Sequence, residues 1–505
     1  MSKLSSNKFS FLARTSLLIG FFFGLDKILA FARFILISRK FTLPLQDSFN
    51  AANNLPDLLF ALISGGALAM AFVPILAQTI TLRGRPAAWD LFSRVANLAF
   101  LVTAALAVVI AIFAKQIVSS QIGIAPGFGP EQQALISNLM RLNLIATIIF
   151  SISGLVMASL QANQHFLLPA MAPLLYNVGQ IFGVVVLAPR FGIQGAVYGV
   201  IIGAFLHLGI QIPGLVKYKF HWTPSLNIHE PILLETLRII GPRLLTMFLL
   251  QSMALVRDNL ASRLGQDGAV SSLTYGWMIM QVPETLLGTA IATAMLPTLA
   301  EFAARLDWEN FRATMEKAIR IMLSLTIPVG VILAAGISPL LHAAFTKFDS
   351  RQIGFFVLTV RIFLLTLSGF AIQEVLARSF YARKQAWTPF FSVVIRTVVY
   401  LSVSITAIMF FRQVGAPAIA LAEFAATIEA IVLYAWLNQR LPERIQVSGA
   451  IIKGLIAAVM GGIVTYAIAL YLPGGAVVTA LVGMFVGDII ALAIVWSDAK
   501  QLINL

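Results

Sequence analysis

The sequence predicts an all-α, polytopic membrane bundle of about fourteen helices, and three observations carry that prediction. Fifty-nine per cent of its 505 residues are hydrophobic against 11% charged, and the mean hydropathy is +0.90. Soluble globules carry about twice that share of charge. Apolar runs of about 20 residues, the length a bilayer demands, recur from end to end. They are too long and too uniform for the short alternating strands of an outer-membrane barrel. The third observation is an internal repeat.

Apolar runs between polar or Gly/Pro breaks place helices near residues 11–39, 46–79, 90–114, 132–161, 167–188, 193–217, 232–263, 268–302, 316–344, 352–382, 388–411, 416–438, 448–471 and 475–497. The first run follows Lys3, Lys8 and Arg14, as a signal peptide would. It lacks a small-residue cleavage site and continues through Phe31, so it reads as a retained helix. An even number of spans puts both ends on one side. Loop Lys and Arg are concentrated on that side, Arg83, Arg85, Lys217, Lys219, Arg383 and Lys384 among them, so both termini are expected in the cytoplasm.

The repeat shows in three places. Gly65 to Gln78 (GGALAMAFVPILAQ) parallels Gly288 to Glu301 (GTAIATAMLPTLAE), with Pro74 matching Pro297. Ser159 to Pro169 parallels Ser379 to Pro389, and Gly192 matches Gly415. The offsets, 223, 220 and 223 residues, agree on one duplication. The expected domains are a six-helix half over 1–220, a second over 221–445, and two extra helices over 446–505. Duplicated bundles of this kind place a site between corresponding helices. The first and seventh helices are therefore expected to flank a polar cavity.

Charge inside a span costs roughly 2.5–3.5 kcal/mol at mid-bilayer, so such residues point to partners or to a wet cavity. The first helix carries Asp26, Lys27 and Arg33, with Asp26 and Arg33 on one face. The second carries Asp47 and Asp57, and the seventh Arg257 and Asp258. Arg361, Glu374, Arg396, Glu423, Glu429 and Asp488 follow. For Arg39, Asp57, Arg361 and Arg396 a structural ion pair or snorkelling is the simpler reading. Lys27, Arg33, Arg257 and Asp258 are expected to line the cavity. A basic cavity suits a phosphate-bearing substrate, because guanidinium grips phosphate with forked hydrogen bonds. Gly65, Gly66 and Pro74, with Gly288 and Pro297 at matching places, are the candidate hinges.

Several function classes are excluded. There is no cysteine, so no disulfide or thiolate site. The five histidines do not cluster, and no phosphate loop, HExxH or GxSxG motif occurs, so neither an enzyme nor a cofactor is expected. The net charge of +14 is dispersed among apolar helices, so it orients loops rather than binding nucleic acid.

Further motifs carry a family resemblance. Lys27 to Arg33 reads KILAFAR, Asp47 precedes a Ser-Phe, and NLPDLL stands before GGALAMAFVPILA. LQANQHFLLPAMAPLLYN runs from Leu160 to Asn177, LHLGIQIP ends at Pro213, and FYARKQAWTP runs from Phe380 to Pro389. Over nearly the whole chain the sequence resembles the MurJ/MviN family of lipid II flippases, within the multidrug/oligosaccharidyl-lipid/polysaccharide exporter superfamily. The resemblance implies alternating-access transport of an undecaprenyl-pyrophosphate-linked peptidoglycan precursor in the bacterial inner membrane, alongside cell-wall synthesis proteins. Lys27 and Arg33 fall on family cationic positions and Asp47 on a family carboxylate. The chain departs at Phe60 and Met278, where the family has arginine, and at Gly65, where it has an acid. Arg257, one helix before Met278, is the candidate to compensate. Two alternatives stay open: an exporter of another lipid-linked glycan, and a non-transporting scaffold for envelope assembly.

Overall fold

The computed structural model describes residues 21–22, 24–65, 67–226 and 231–501, and no strand occurs among them. The hinge position Gly66 and the basic residues Lys3, Lys8 and Arg14 lie outside the described residues. Helix α1 covers residues 24–40. Helix α2 starts as Leu43–Phe60, passes through a π-helical turn at Ala61–Gly65 and enters the segment Ala67–Ser119. Gly84 divides that segment, and the part beyond it is α3. Its φ of +82° is a left-handed conformation that side chains disfavour, which is why Arg-Gly-Arg-Pro separates two helices here.

Then come α4 (Pro130–Ala162) and α5, which is Leu167–Phe182 extended through a π-turn to Phe191. Next are α6 (Ile193–Gly209), the short piece Ile212–Lys217, and α7 (Pro231–Ser262). Helix α8 is Ala269–Glu284, a π-turn at Thr285–Thr289, and Ala290–Ala304. It is followed by α9 (Trp308–Ala344) and by α10, which is Ser350–Leu365 joined at Thr366 to Leu367–Ala382. The last four are α11 (Trp387–Phe410), α12 (Ala416–Asn438, loosened to a 3-10 turn at Leu421–Phe424), α13 (Ser448–Tyr471) and α14 (Ala476–Ala499). About fourteen rods are thus present, as the apolar runs require. Eleven helices among the described residues are long and apolar enough to cross a membrane. This is a multi-pass membrane protein.

The chain forms two compact units, Met1–Leu255 and Val256–Leu505, divided within α7. In the first, α4 packs against α2, α3 and α6, and α5 lies along α6. The α5–α6 contact is backbone on backbone. A Cβ at Gly179 would come within 2.4 Å of Gly203, and one at Gly183 within 2.5 Å of Gly199. Trp89, Phe92 and Phe220 make an edge-on aromatic cluster that holds the segment after α6 onto α3, where Trp89 Nε1 also donates to the Tyr218 carbonyl (3.1 Å).

In the second unit, Phe311, Met315, Phe380 and Leu433 centre a core shared by α9, α10 and α12. Helices α13 and α14 pack on each other and on α9. Gly461 and Gly487 meet at their crossing, and Asp498 accepts from both Arg320 and Lys453 at one end (3.1 Å each).

Backbone landmarks recur between the units. Gly192 (φ +59°) and Gly415 (φ +72°) both open a helix in the left-handed region, and Gln164 (+59°) matches Lys384 (+56°). The π-turns Ala61–Gly65 and Thr285–Thr289 also correspond. A π-turn slips the hydrogen-bond ladder by one residue, and such slips are commonly found at functional sites.

Candidate functional site

In the first unit α1 brings Asp26, Lys27 and Arg33 to one place, and α5 completes the group with Asn177. Arg33 Nη1 donates to Asn177 Oδ1 (2.9 Å), while Asn177 Nδ2 donates to Asp26 Oδ1 (2.7 Å). One amide thus joins the two charges that helical spacing puts on a common face. Asn177 is buried, whereas Asp26, Lys27 and Arg33 are half-buried and keep access to solvent. The Arg33 guanidinium lies over the Phe34 ring, 4.4 Å from its centroid, and its charge also acts on Tyr176 and on the exposed Asp57. A guanidinium is a flat cation whose forked donors suit a phosphate-like anion.

Asp47 is buried inside the first unit, at 1% exposure. Phe60 stacks edge-on with Phe150 (4.9 Å), which continues to Tyr176 and His207 (5.0 and 5.2 Å). The neutral residue at that place is therefore part of an aromatic row rather than a gap in a polar wall.

In the second unit Arg257 Nε donates to Asp258 (2.9 Å) and Nη2 to Thr274 on α8 (3.1 Å). Both charged residues are buried, at 8% and 1% exposure. Arg257 also feels Glu423 and Tyr400. Arg396 lies 3.4 Å from Glu429 and 4.0 Å from Glu423, and its guanidinium covers the Phe370 ring. Ser392 and Gln373 donate to Glu429 as well. The result is a dry network of two guanidiniums and three carboxylates spread over α7, α11 and α12. Arg257, expected from the sequence in a basic cavity wall, thus has acidic neighbours. Sequence reasoning placed Arg396 with the structural residues; its link to Glu423 and Glu429 agrees with that.

The candidate hinges fall in two groups. Gly65 closes one π-turn and Gly288 lies inside the other, where Thr289 Oγ1 donates back to Glu284 (3.1 Å) and a Cβ would sit 3.1 Å from Ala371. Pro74 and Pro297 lie farther along, within continuing α-helix. Two participants were missed. Asn177 ends the motif PAMAPLLYN and had a sequence signal, whereas Glu284 had none.

Arg361 behaves as a structural residue. Its Nε donates to the Ala334 carbonyl (2.8 Å), tying α10 to α9. Arg361→Ala should therefore cost about 1 kcal/mol of stability. Transport should stay within about twofold of the parent in a vesicle assay, since the carbonyl keeps its helical partner.

Comparison with known proteins identifies the family. The family described as "Lipid II flippase MurJ" matches residues 41–486. The lipid II flippase MurJ of Burkholderia cenocepacia is 30% identical over 389 residues, 75% of each chain. The probable lipid II flippase MurJ of Rhizobium tropici is 26% identical over 87% of this chain and 84% of its own. Among solved structures, a lipid II flippase MurJ in an inward closed conformation superposes with TM-score 0.81 at 21% identity, covering 96% of this chain and all of the other. An inward-facing multidrug resistance transporter of the MATE family superposes at 0.72 with 15% identity, over 82% of this chain and 94% of its own. These two likenesses are of fold. With most of its length matched, the chain belongs to the MurJ family of lipid II flippases.

Proposed function

We propose that this protein translocates a polyprenyl-pyrophosphate-linked peptidoglycan precursor, lipid II, from the cytoplasmic to the periplasmic leaflet by alternating access, with both termini in the cytoplasm. The observation that carries the reading is the half-buried Lys27 and Arg33, the latter bonded to Asn177, in a member of this family. Desolvated pyrophosphate needs fixed cations, and charges interact several-fold more strongly in such a site than in water. In this scheme Lys27 and Arg33 meet the pyrophosphate. Asp47, Arg257 and Asp258 support the helices that carry or oppose it. The polyprenyl tail stays in the apolar phase, because moving it into water forfeits about 0.8 kcal/mol per CH₂.

The halves 1–220 and 221–445, with 446–505 added, are proposed as the moving and flanking parts, and the π-turns with Gly65 and Gly288 as the bends. Cell-wall synthesis proteins are the proposed neighbours.

A second reading, a non-transporting scaffold or an exporter of another lipid-linked glycan, draws on Phe60 and Met278, neutral where the family has cations. Expression in a strain depleted of its own lipid II flippase separates the two. Restored growth, with lipid II appearing in the outer leaflet, is expected. Normal membrane accumulation without either would favour the second reading.

A further inference from the structure

Asp488 has no part in the transport scheme, and its setting is unusual. It is the thirteenth of the 24 residues of α14, beside Gly487, which meets Gly461 halfway along α13. It therefore lies at mid-depth of both helices, roughly 18 Å from either end of α14. The residue is exposed, and so are its helical neighbours Leu481, Phe485, Ile489 and Leu492, whose exposure runs from 40% to 67%. The buried residues Gly483, Met484, Gly487 and Ala491 form the opposite stripe that packs on α13 and α9. Asp488 makes no hydrogen bond or ion pair with any described residue. A carboxyl group thus sits in the middle of an apolar, exposed stripe on a membrane-length helix. Acidic residues inside membranes almost always face a partner or water.

Charge selects the occupant. Lipid II is itself anionic and is repelled by a carboxylate, and an acyl or polyprenyl chain has no donor to offer. An unmet hydrogen-bonding group in hydrocarbon is costly whether ionised or protonated. What satisfies it is a donor presented at the same depth on a surface of matching apolar shape.

We propose that the outer face of α14 is a docking surface for a transmembrane helix of another protein, one that carries a single lysine or arginine near its midpoint to pair with Asp488. The surface is independent of the transport site, so the two readings stand or fall separately.

The test uses the full chain in phosphatidylcholine vesicles, with energy transfer to single-pass leucine–alanine helices that carry one central Lys, Leu or Glu. The Lys helix should associate roughly three- to thirtyfold more tightly than the Leu helix, the range spanned by interhelical polar pairs in membranes. Asp488→Leu should remove that preference, and Asp488→Lys should transfer it to the Glu helix. Lipid II flipping in the same vesicles should be unchanged by Asp488→Leu. Equal association of all three helices would overturn the proposal. So would self-association of labelled chains that disappears in Asp488→Leu while no added helix binds, since that outcome assigns the face to a second copy.

Discussion

Arg33→Ala should abolish growth rescue in the depleted strain while the protein still accumulates in the membrane at the parent level. Asn177 loses its bond to Arg33 and keeps Asp26. The functional loss is large, because each hydrogen bond to a charged group contributes about 1.5–3 kcal/mol, so flipping should slow roughly tenfold to a hundredfold per bond removed. Arg33→Lys keeps the charge without the planar fork and should fall between the two. The measurement is lipid II appearing in the outer leaflet per copy of protein. Parent-level flipping by Arg33→Ala would refute the pyrophosphate grip and shift weight to a scaffold role.

Removing Arg257 should act differently, through folding. Arg257→Ala strips the 1%-exposed Asp258 of its guanidinium and weakens the field that balances Glu423. Breaking a buried pair by removing one partner costs about 3–5 kcal/mol, much of the 5–15 kcal/mol that holds a typical domain together. The variant should accumulate poorly and melt early. Arg257→Ala combined with Asp258→Asn should regain accumulation, because a neutral amide then replaces the buried carboxylate, and flipping should return with it. A double variant that accumulates fully yet does not flip would instead assign Arg257 to the substrate.

The rods were legible because a bilayer imposes a length on apolar runs, and Gly and Pro mark the interruptions. The duplication was legible in loops: Gly192 and Gly415 recur because the left-handed backbone at both places tolerates little else. The π-turns were not, since a one-residue slip in the hydrogen-bond ladder has no residue code of its own. Within the site, Asp26 and Arg33 could be paired because helical spacing fixes which residues share a face. Their bridge, Asn177, comes from a helix 144 residues beyond Arg33, and periodicity within one helix says nothing about its neighbour. The same limit hid the union of Asp258, Arg396, Glu423 and Glu429. Asp47, early in its helix, is enclosed by almost complete packing that its place in the sequence does not reveal.

The glycine seam between α5 and α6 has a mechanical consequence. Where two backbones touch directly, there are no rotamers to rearrange and no side-chain volume to compress, so the pair has little freedom to slide or splay. Asn177, which bonds Arg33, projects from α5 two residues before the close approach of Gly179 to Gly203 and inherits that stiffness. Whatever moves during a transport cycle, α5 and α6 should travel as a single strut, and Asn177 should keep its place on it.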